Sequence, residues 1–226
     1  MYKFNNNNNL KLAYSTGLAR PRYVDLVPRM QIDEPPASNS ALGEIDYGNP
    51  DLEPRTAYNF DIMYDRFTAN LGLFSFGVFY KNFKAWHVNR TWIEKHDFVN
   101  DDGDFVPDGI EESYEASMPV MGDGTAKFYG FEVNAQQRLA AFSPALKWFA
   151  VNANYTYTKS EGKVDGRTVV MTRSPKNIAN MSLIYDNADL GLSVVVAANY
   201  RDALLTGVGD NKFRDVYFDH EFFVDL

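Results

Sequence analysis

The segment Asn100–Glu111, NDDGDFVPDGIE, sets oxygen donors at a spacing that could hold a hard cation. Counting Asn100 as the first position, donors fall at the first, third, fifth, ninth and twelfth: Asn100, Asp102, Asp104, Asp108 and Glu111. A calcium loop uses this spacing because Ca2+ takes six to eight oxygens and a carboxylate closes the shell at position twelve. Three features count against it. Asparagine stands first where aspartate is usual, Phe105 stands where the sharp turn wants glycine, and no flanking helices are evident. A solvated acidic loop is the competing and stronger reading, and Ca2+ is the one cofactor the residues suggest.

Other chemistry is hard to find. His87, His96 and His220 are too dispersed for a metal triad and read as solvated or interfacial histidines. There is no Ser-His-Asp or Cys-His set and no glycine-rich phosphate loop opening a helix. Glu111 and Glu112 are adjacent carboxylates in a loop, with no pocket to raise a pKa. The expectation is a protein that is not an enzyme. A formal charge of -8 argues against nucleic acid, which wants a basic surface. With no cysteine there is neither a disulfide framework nor a thiolate metal site.

Much of the chain alternates apolar and polar residues, the period of a strand with different surroundings on its two faces. From Lys127 to Thr158, Tyr129, Phe131, Val133, Ala135 and Leu139 oppose Glu132, Asn134, Gln136 and Arg138; after a turn at Ala140–Leu146, Phe149, Val151, Ala153, Tyr155 and Tyr157 oppose Asn152, Asn154, Thr156 and Thr158. Further strands are predicted over Asn9–Ala19, Arg55–Phe67, Leu71–Phe83, Asn177–Tyr185 and Leu190–Arg201, with an eighth starting at Asp215. Between them, Arg20–Pro54 carries Pro21, Pro28, Pro35, Pro36, Pro50 and Pro54 and is predicted to be loop without strand or helix. Lys84–Ala126, Ser160–Lys176 and Asp202–Arg214 are the other long or intermediate connections, and AWHVNRTWI could extend the strand before it.

Segments of about twelve residues exceed the usual soluble strand and suit a tilted crossing of a bilayer. Short and longer connections alternate, which puts every short turn at one end, as in outer-membrane barrels. No run is long and apolar enough for a membrane-spanning helix. The fold class is therefore all-β: an antiparallel up-and-down transmembrane β-barrel, of which this chain supplies about eight strands. Asp61, Asp65, Glu132, Arg138 and Lys147 are expected to face the lumen, since a charge on the lipid face would cost about 2–4 kcal/mol at mid-membrane. Trp86, Trp92 and Tyr114 could stack on a ligand, although an interface anchor is the favoured reading. The amino terminus lacks a signal-peptide pattern, the run Asn5–Asn9 reads as a turn, and EFFVDL ends inside an alternating segment. A piece of a longer chain is expected.

The segments LARPRYVDLVPR, GNPDLEPRTAYNFDIMYDRF, GVFYKNF, KFYGFEVNAQQRL, VNANYTYT, SPKNIANMSLIY and NYRD, in this order, resemble the carboxyl-terminal barrel of TonB-dependent outer-membrane receptors over nearly the whole of residues 1–226. The resemblance implies a 22-stranded barrel in the bacterial outer membrane, an amino-terminal plug and a box engaging the TonB protein, with the plug and the last strands lying outside this sequence. It further implies energy-coupled import of a scarce small-molecule or glycan ligand: an iron-siderophore complex, cobalamin or a glycan. A passive porin is the runner-up, and a secreted β-sandwich binding module the third reading.

If the acidic loop is a calcium site, titrating Ca2+ into the folded receptor should release calcium-dependent heat in calorimetry. Silence would leave the solvated loop as the reading.

Overall fold

The computed structural model describes residues 2–33, 42–68, 72–97 and 111–226. Its strands, in chain order, are β1 (Tyr2–Asn5), β2 (Asn8–Ala19), β3 (Met30–Asp33), β4 (Gly43–Tyr47), β5 (Arg55–Thr68), β6 (Gly72–Lys84), β7 (His87–His96), β8 (Glu112–Met121), β9 (Asp123–Arg138), β10 (Phe149–Val164), β11 (Arg167–Val169), β12 (Asn177–Asn187), β13 (Leu192–Arg201), β14 (Leu204–Gly207), β15 (Val216–Phe218) and β16 (Glu221–Asp225). Ten of them form one antiparallel sheet in the order β1-β2-β5-β6-β9-β10-β12-β13-β16, with β11 paired to β10. The eight predicted wall strands are all here, in a meander that is not closed into a barrel.

Register carries the alternation across the sheet. Phe60, Tyr80, Tyr129 and Lys159 fall in one row, Tyr64, Phe76, Val133, Tyr155 and Ala179 in another. The opposite face gives rows such as Asp65, Ser75, Asn134 and Asn154. The apolar face is the exposed one: Leu12 is 66% accessible, Phe60 50% and Met181 55%, whereas Asp65 is 3%. A soluble sandwich would turn those apolar rows inward against a second sheet. This wall turns them outward. The other face is held by polar ladders, including Asn180 to Asn154 at 2.8 Å and Ser75 to Asp65 at 2.7 Å.

Short turns gather at one end. The β1–β2 turn closes through Asn5, whose Oδ1 accepts from the Asn7 amide. At the β12–β13 turn, Asn187 Oδ1 accepts from the amides of Asp189 and Leu190, and Gly191 takes φ +61. Between β9 and β10, Ser143 caps a short 3-10 turn opened by Pro144.

The other end departs from the predicted loops. Residues 20–54 carry β3, β4 and one helical turn, Tyr23–Leu26. The prolines leave proline-free windows at Met30–Asp33 and Gly43–Tyr47, and there short strands form. The 85–122 stretch carries β7 and β8, and β4 pairs with β8 in parallel, giving a sheet β3-β4-β8-β7. Ala85, at φ +51, turns the chain from β6 into β7. Within the stretch read as a polar connection, β10 runs on to Val164 and returns as β11 through Asp165 and Gly166, both at positive φ, the geometry an Asp-Gly hairpin favours. The predicted eighth strand is split: Val216–Phe218 leaves to pair with β14, and the wall resumes at Glu221.

These connections, rather than the wall, own the hydrophobic core. Trp86, Val88, Ala126, Val164, Val169, Leu205 and Val208 form one cluster, Ile45, Tyr114 and Ala116 a second. Trp86 is wholly buried, and a Cβ on Gly122 or Gly162 would overlap its indole. Arg167 fastens β11 to the last connection with a two-pronged grip on Asp215, at 2.7 and 2.8 Å. Together these contacts make one loop layer of four connections.

Trp86→Ala should cost this layer about 3–5 kcal/mol and Gly162→Ala about 1–3 kcal/mol. Limited proteolysis of the full-length protein within residues 85–122 reads the effect. A Trp86→Ala variant as resistant as wild type would remove Trp86 as the centre of the layer.

Candidate functional site

Arg55 opens β5 directly opposite Ala19, the last residue of β2. Arg20 follows Ala19, so the two ends of the proline-rich connection bring two guanidiniums together. By strand alternation Arg55 shares the polar face with Asn59 and Asp61. The start of β7 and the chain beyond β11 add His87 and Arg173, which line a half-open cavity of about 340 Å³ against the loop layer. Four arginines, Arg20, Arg22, Arg55 and Arg173, line it against one carboxylate, Asp25. Arg22 is engaged with Asp25 at 2.7 and 2.9 Å. Among the described residues, Arg20, Arg55 and Arg173 have no carboxylate partner, and Arg55 Nε is buried without a hydrogen bond.

His87 donates Nε2–H to the Glu53 carbonyl at 2.7 Å. Burial holds its pKa below the ordinary histidine value, and the Arg55 charge lowers it further, against the pull of the Glu53 carbonyl. The histidine is therefore neutral at pH 7, and the positive charge of the cavity comes from guanidinium alone. Guanidiniums are weakly hydrated and present forks of N–H donors matched to carboxylate, phosphate or catecholate oxygens. In a walled cavity their field is focused. The arrangement can bind an anion.

The residues read from sequence fall elsewhere. Asp61, Asp65, Glu132 and Arg138 do share one face, opposite the exposed apolar rows. Asp65 accepts from Ser75 at 2.7 Å and pairs with Lys11 at 2.6 Å. Glu132 lies over Gly77, one row from each aspartate, while Arg138 sits apart at the short-turn end in a groove with Lys147. Asn100, Asp102, Asp104 and Asp108 lie outside the described residues; Glu111 is exposed. Trp86 and Tyr114 are fully buried, so they neither stack on a ligand nor anchor an interface. Trp92 stacks on Tyr47 with 5.8 Å between ring centroids.

Sequence reasoning missed the arginines because they span residues 20–173 and match no motif. One signal was present. LAR and EPR bracket a single connection between antiparallel neighbours, and such ends must meet.

The family described as TonB dependent receptor-like, beta-barrel matches residues 1–222. Comparison with curated proteins gives no match. The siderophore receptor PirA from Acinetobacter baumannii is similar at TM-score 0.59 and 15% identity, over 98% of this chain and 32% of its own. A G324V mutant of the ferric enterobactin receptor PfeA from Pseudomonas aeruginosa gives 0.56 and 13%, over 98% and 30%. The FrpB iron transporter from Neisseria meningitidis gives 0.56 and 10%, over 98% and 28%. This chain thus spans about a third or less of those structures. At such identities the likeness shows the fold.

Above the cavity, Tyr47 on β4 donates to Glu94 on β7 at 2.7 Å, and Trp92 Nε1 donates to the same carboxylate at 2.9 Å. Burial first, and then the bond to Glu94, push the Tyr47 phenol up to about 12. Burial also works to raise Glu94, but hydrogen bonds from Tyr47, Trp92 and His96 together outweigh it and hold the carboxyl below its ordinary value. A phenol raised on folding stabilises fully below its unfolded value of about 10, and this is lost as pH climbs to about 12. A carboxyl lowered on folding stabilises above about pH 4.3, and this is lost as pH falls through its folded value. The loop layer should therefore loosen at both extremes. Tyr47→Phe should weaken it by about 1–2 kcal/mol and flatten the alkaline limb. Chemical unfolding followed by tryptophan fluorescence across pH is the check, and an unchanged alkaline limb would clear Tyr47 of the effect.

Proposed function

Because this chain belongs to the TonB-dependent receptor β-barrel family, we propose that it forms part of the wall of a bacterial outer-membrane receptor that imports an anionic iron chelate in a TonB-coupled manner. The exposed apolar rows meet lipid. The short turns face the periplasm, and the loop layer faces outside the cell. The opposite face, with Asp61, Asp65, Glu132 and Arg138, lines the lumen, where such charges stay hydrated or touch a plug. The basic cavity is the observation that carries the ligand class. A chain of formal charge -8 gathers four arginines at the mouth of the lumen, three of them without a carboxylate partner among the described residues. An iron-siderophore complex bearing catecholate or carboxylate oxygens fits that field, and structural neighbours named as siderophore and ferric enterobactin receptors support the choice. Cobalamin and neutral glycans would leave the guanidiniums unpaired.

The test uses a ferric tris-catecholate as the anionic probe and a neutral ferric trihydroxamate as control, with the full-length receptor. Arg55→Ala and Arg173→Ala should each weaken the anionic probe by about 10–100-fold and leave the neutral one unchanged. Equal affinity in the double variant would overturn the anionic class. Uptake should stop when the proton gradient is collapsed; continued uptake would mark a passive porin.

A further inference from the structure

One carboxylate stands among the guanidiniums of the basic cavity. Asp25 lies in the helical turn Tyr23–Leu26, and its two oxygens accept from Arg22 Nη2 at 2.7 Å and Nε at 2.9 Å. Its backbone is held from the far end of the proline-rich connection. The Asp25 carbonyl accepts from the Asn49 amide at 2.6 Å, and the Asn49 side chain donates to the Pro119 carbonyl of β8 at 3.0 Å. A Cβ on Gly48 would overlap the Val27 carbonyl, so the chain leaving β4 passes close against the end of the turn. The carboxylate is thus placed by three parts of the chain. Its side chain is 21% exposed, against 74% for Arg22.

A cavity built for anions gains no raw affinity from a carboxylate. The carboxylate repels the ligand, and it occupies a guanidinium that a ligand oxygen could use. What a fixed internal anion changes is the count of charges. Of the four guanidiniums, Arg22 is cancelled, while Arg20, Arg55 and Arg173 stay uncompensated among the described residues, beside a neutral His87. Repulsion from Asp25 grows in proportion to the charge of the ligand. It therefore acts on the difference between one anion and another. Specificity is such a difference, and a repulsive group sets it as well as an attractive one does.

Resting on the anionic-chelate reading above, we propose that Asp25 is a specificity-determining residue: by cancelling Arg22 it matches the cavity to a trianionic chelate and sets how strongly the receptor separates chelates that differ by one charge. The fixed partner is the carboxylate, held through Asn49, and the exposed one is Arg22. Replacing Asp25 by its uncharged isostere releases the Arg22 charge to the ligand and keeps the shape of the turn.

The experiment measures equilibrium binding to the full-length receptor at low salt, using tris-catecholates of one shape: gallium(III) gives the trianion and titanium(IV) the dianion. The neutral ferric trihydroxamate is the control for shape. Asp25→Asn should tighten the trianion roughly 30-fold and the dianion roughly tenfold, about threefold for each ligand charge, so that the preference for the trianion rises. Arg22→Gln added to Asp25→Asn should reverse the gain. Arg22→Gln alone leaves the carboxylate facing the ligand and should weaken the trianion more than the dianion, which keeps the test decisive if Asp25→Asn fails to fold. An equal change for all three probes, or none, overturns the charge-setting role and leaves Asp25 a support of the turn. A gain that survives the loss of Arg22 also overturns it. If wild type binds all three probes alike, the anionic-chelate reading itself fails and the role of Asp25 with it. A wild-type preference for the anions that Asp25→Asn does not alter sinks the role of Asp25 alone.

Discussion

Ladder pairing between neighbouring strands is the constraint from which the rest of this structure follows. A backbone amide or carbonyl left unpaired in hydrocarbon costs several kcal/mol, so each crossing segment must find its partner in the next. The meander does this from β1 to β16 with antiparallel neighbours throughout. Once register is fixed, every side chain has its face assigned, because a slip of one residue would exchange lipid and lumen. The aromatic rows, the buried Asp65 and the inward Arg55 are all consequences of that registration.

A wall made in this way has no interior, and the hydrophobic core lies in the connections. The cluster around Trp86 joins β6–β7, β10–β11 and β14, while Ile45 and Tyr114 join the first two long connections through a parallel strand pair. Four segments that would otherwise be independent loops are thereby tied into one layer. The layer lines one side of the basic cavity, and its packing sets where Arg173 and His87 stand relative to Arg20 and Arg55. Backbone bonds such as Arg173 N–H to the Leu205 carbonyl at 2.7 Å transmit that placement.

Charge is sorted by face rather than averaged. The chain is acidic overall, yet arginines collect in the cavity on the polar face and lysines on the exposed apolar side at the same end. The chemistry of the two cations matches their places. Arginine offers a weakly hydrated fork suited to an enclosed oxyanion, whereas lysine is a strongly hydrated point charge on a flexible stem suited to an open interface.

Period-2 alternation, the order of short and long connections and the collinear segments such as GNPDLEP were enough for the eight predicted wall strands, the two faces and the family. These signals are local: a strand's two surroundings are written into consecutive residues. Residue order alone was insufficient for the loop layer and the cavity. Met30–Asp33 and Gly43–Tyr47 are too short to read as strands until they pair with each other and β8 lies beside the second, and nothing near Trp86 marks it as core until Gly122 and Gly162 close on its ring. Arg20, Arg55 and Arg173 become a site only through pairing across the sheet and docking of a distant hairpin. Strand formation depends on neighbours in sequence. Cores and binding sites depend on neighbours in space, and here only the tertiary structure supplied them.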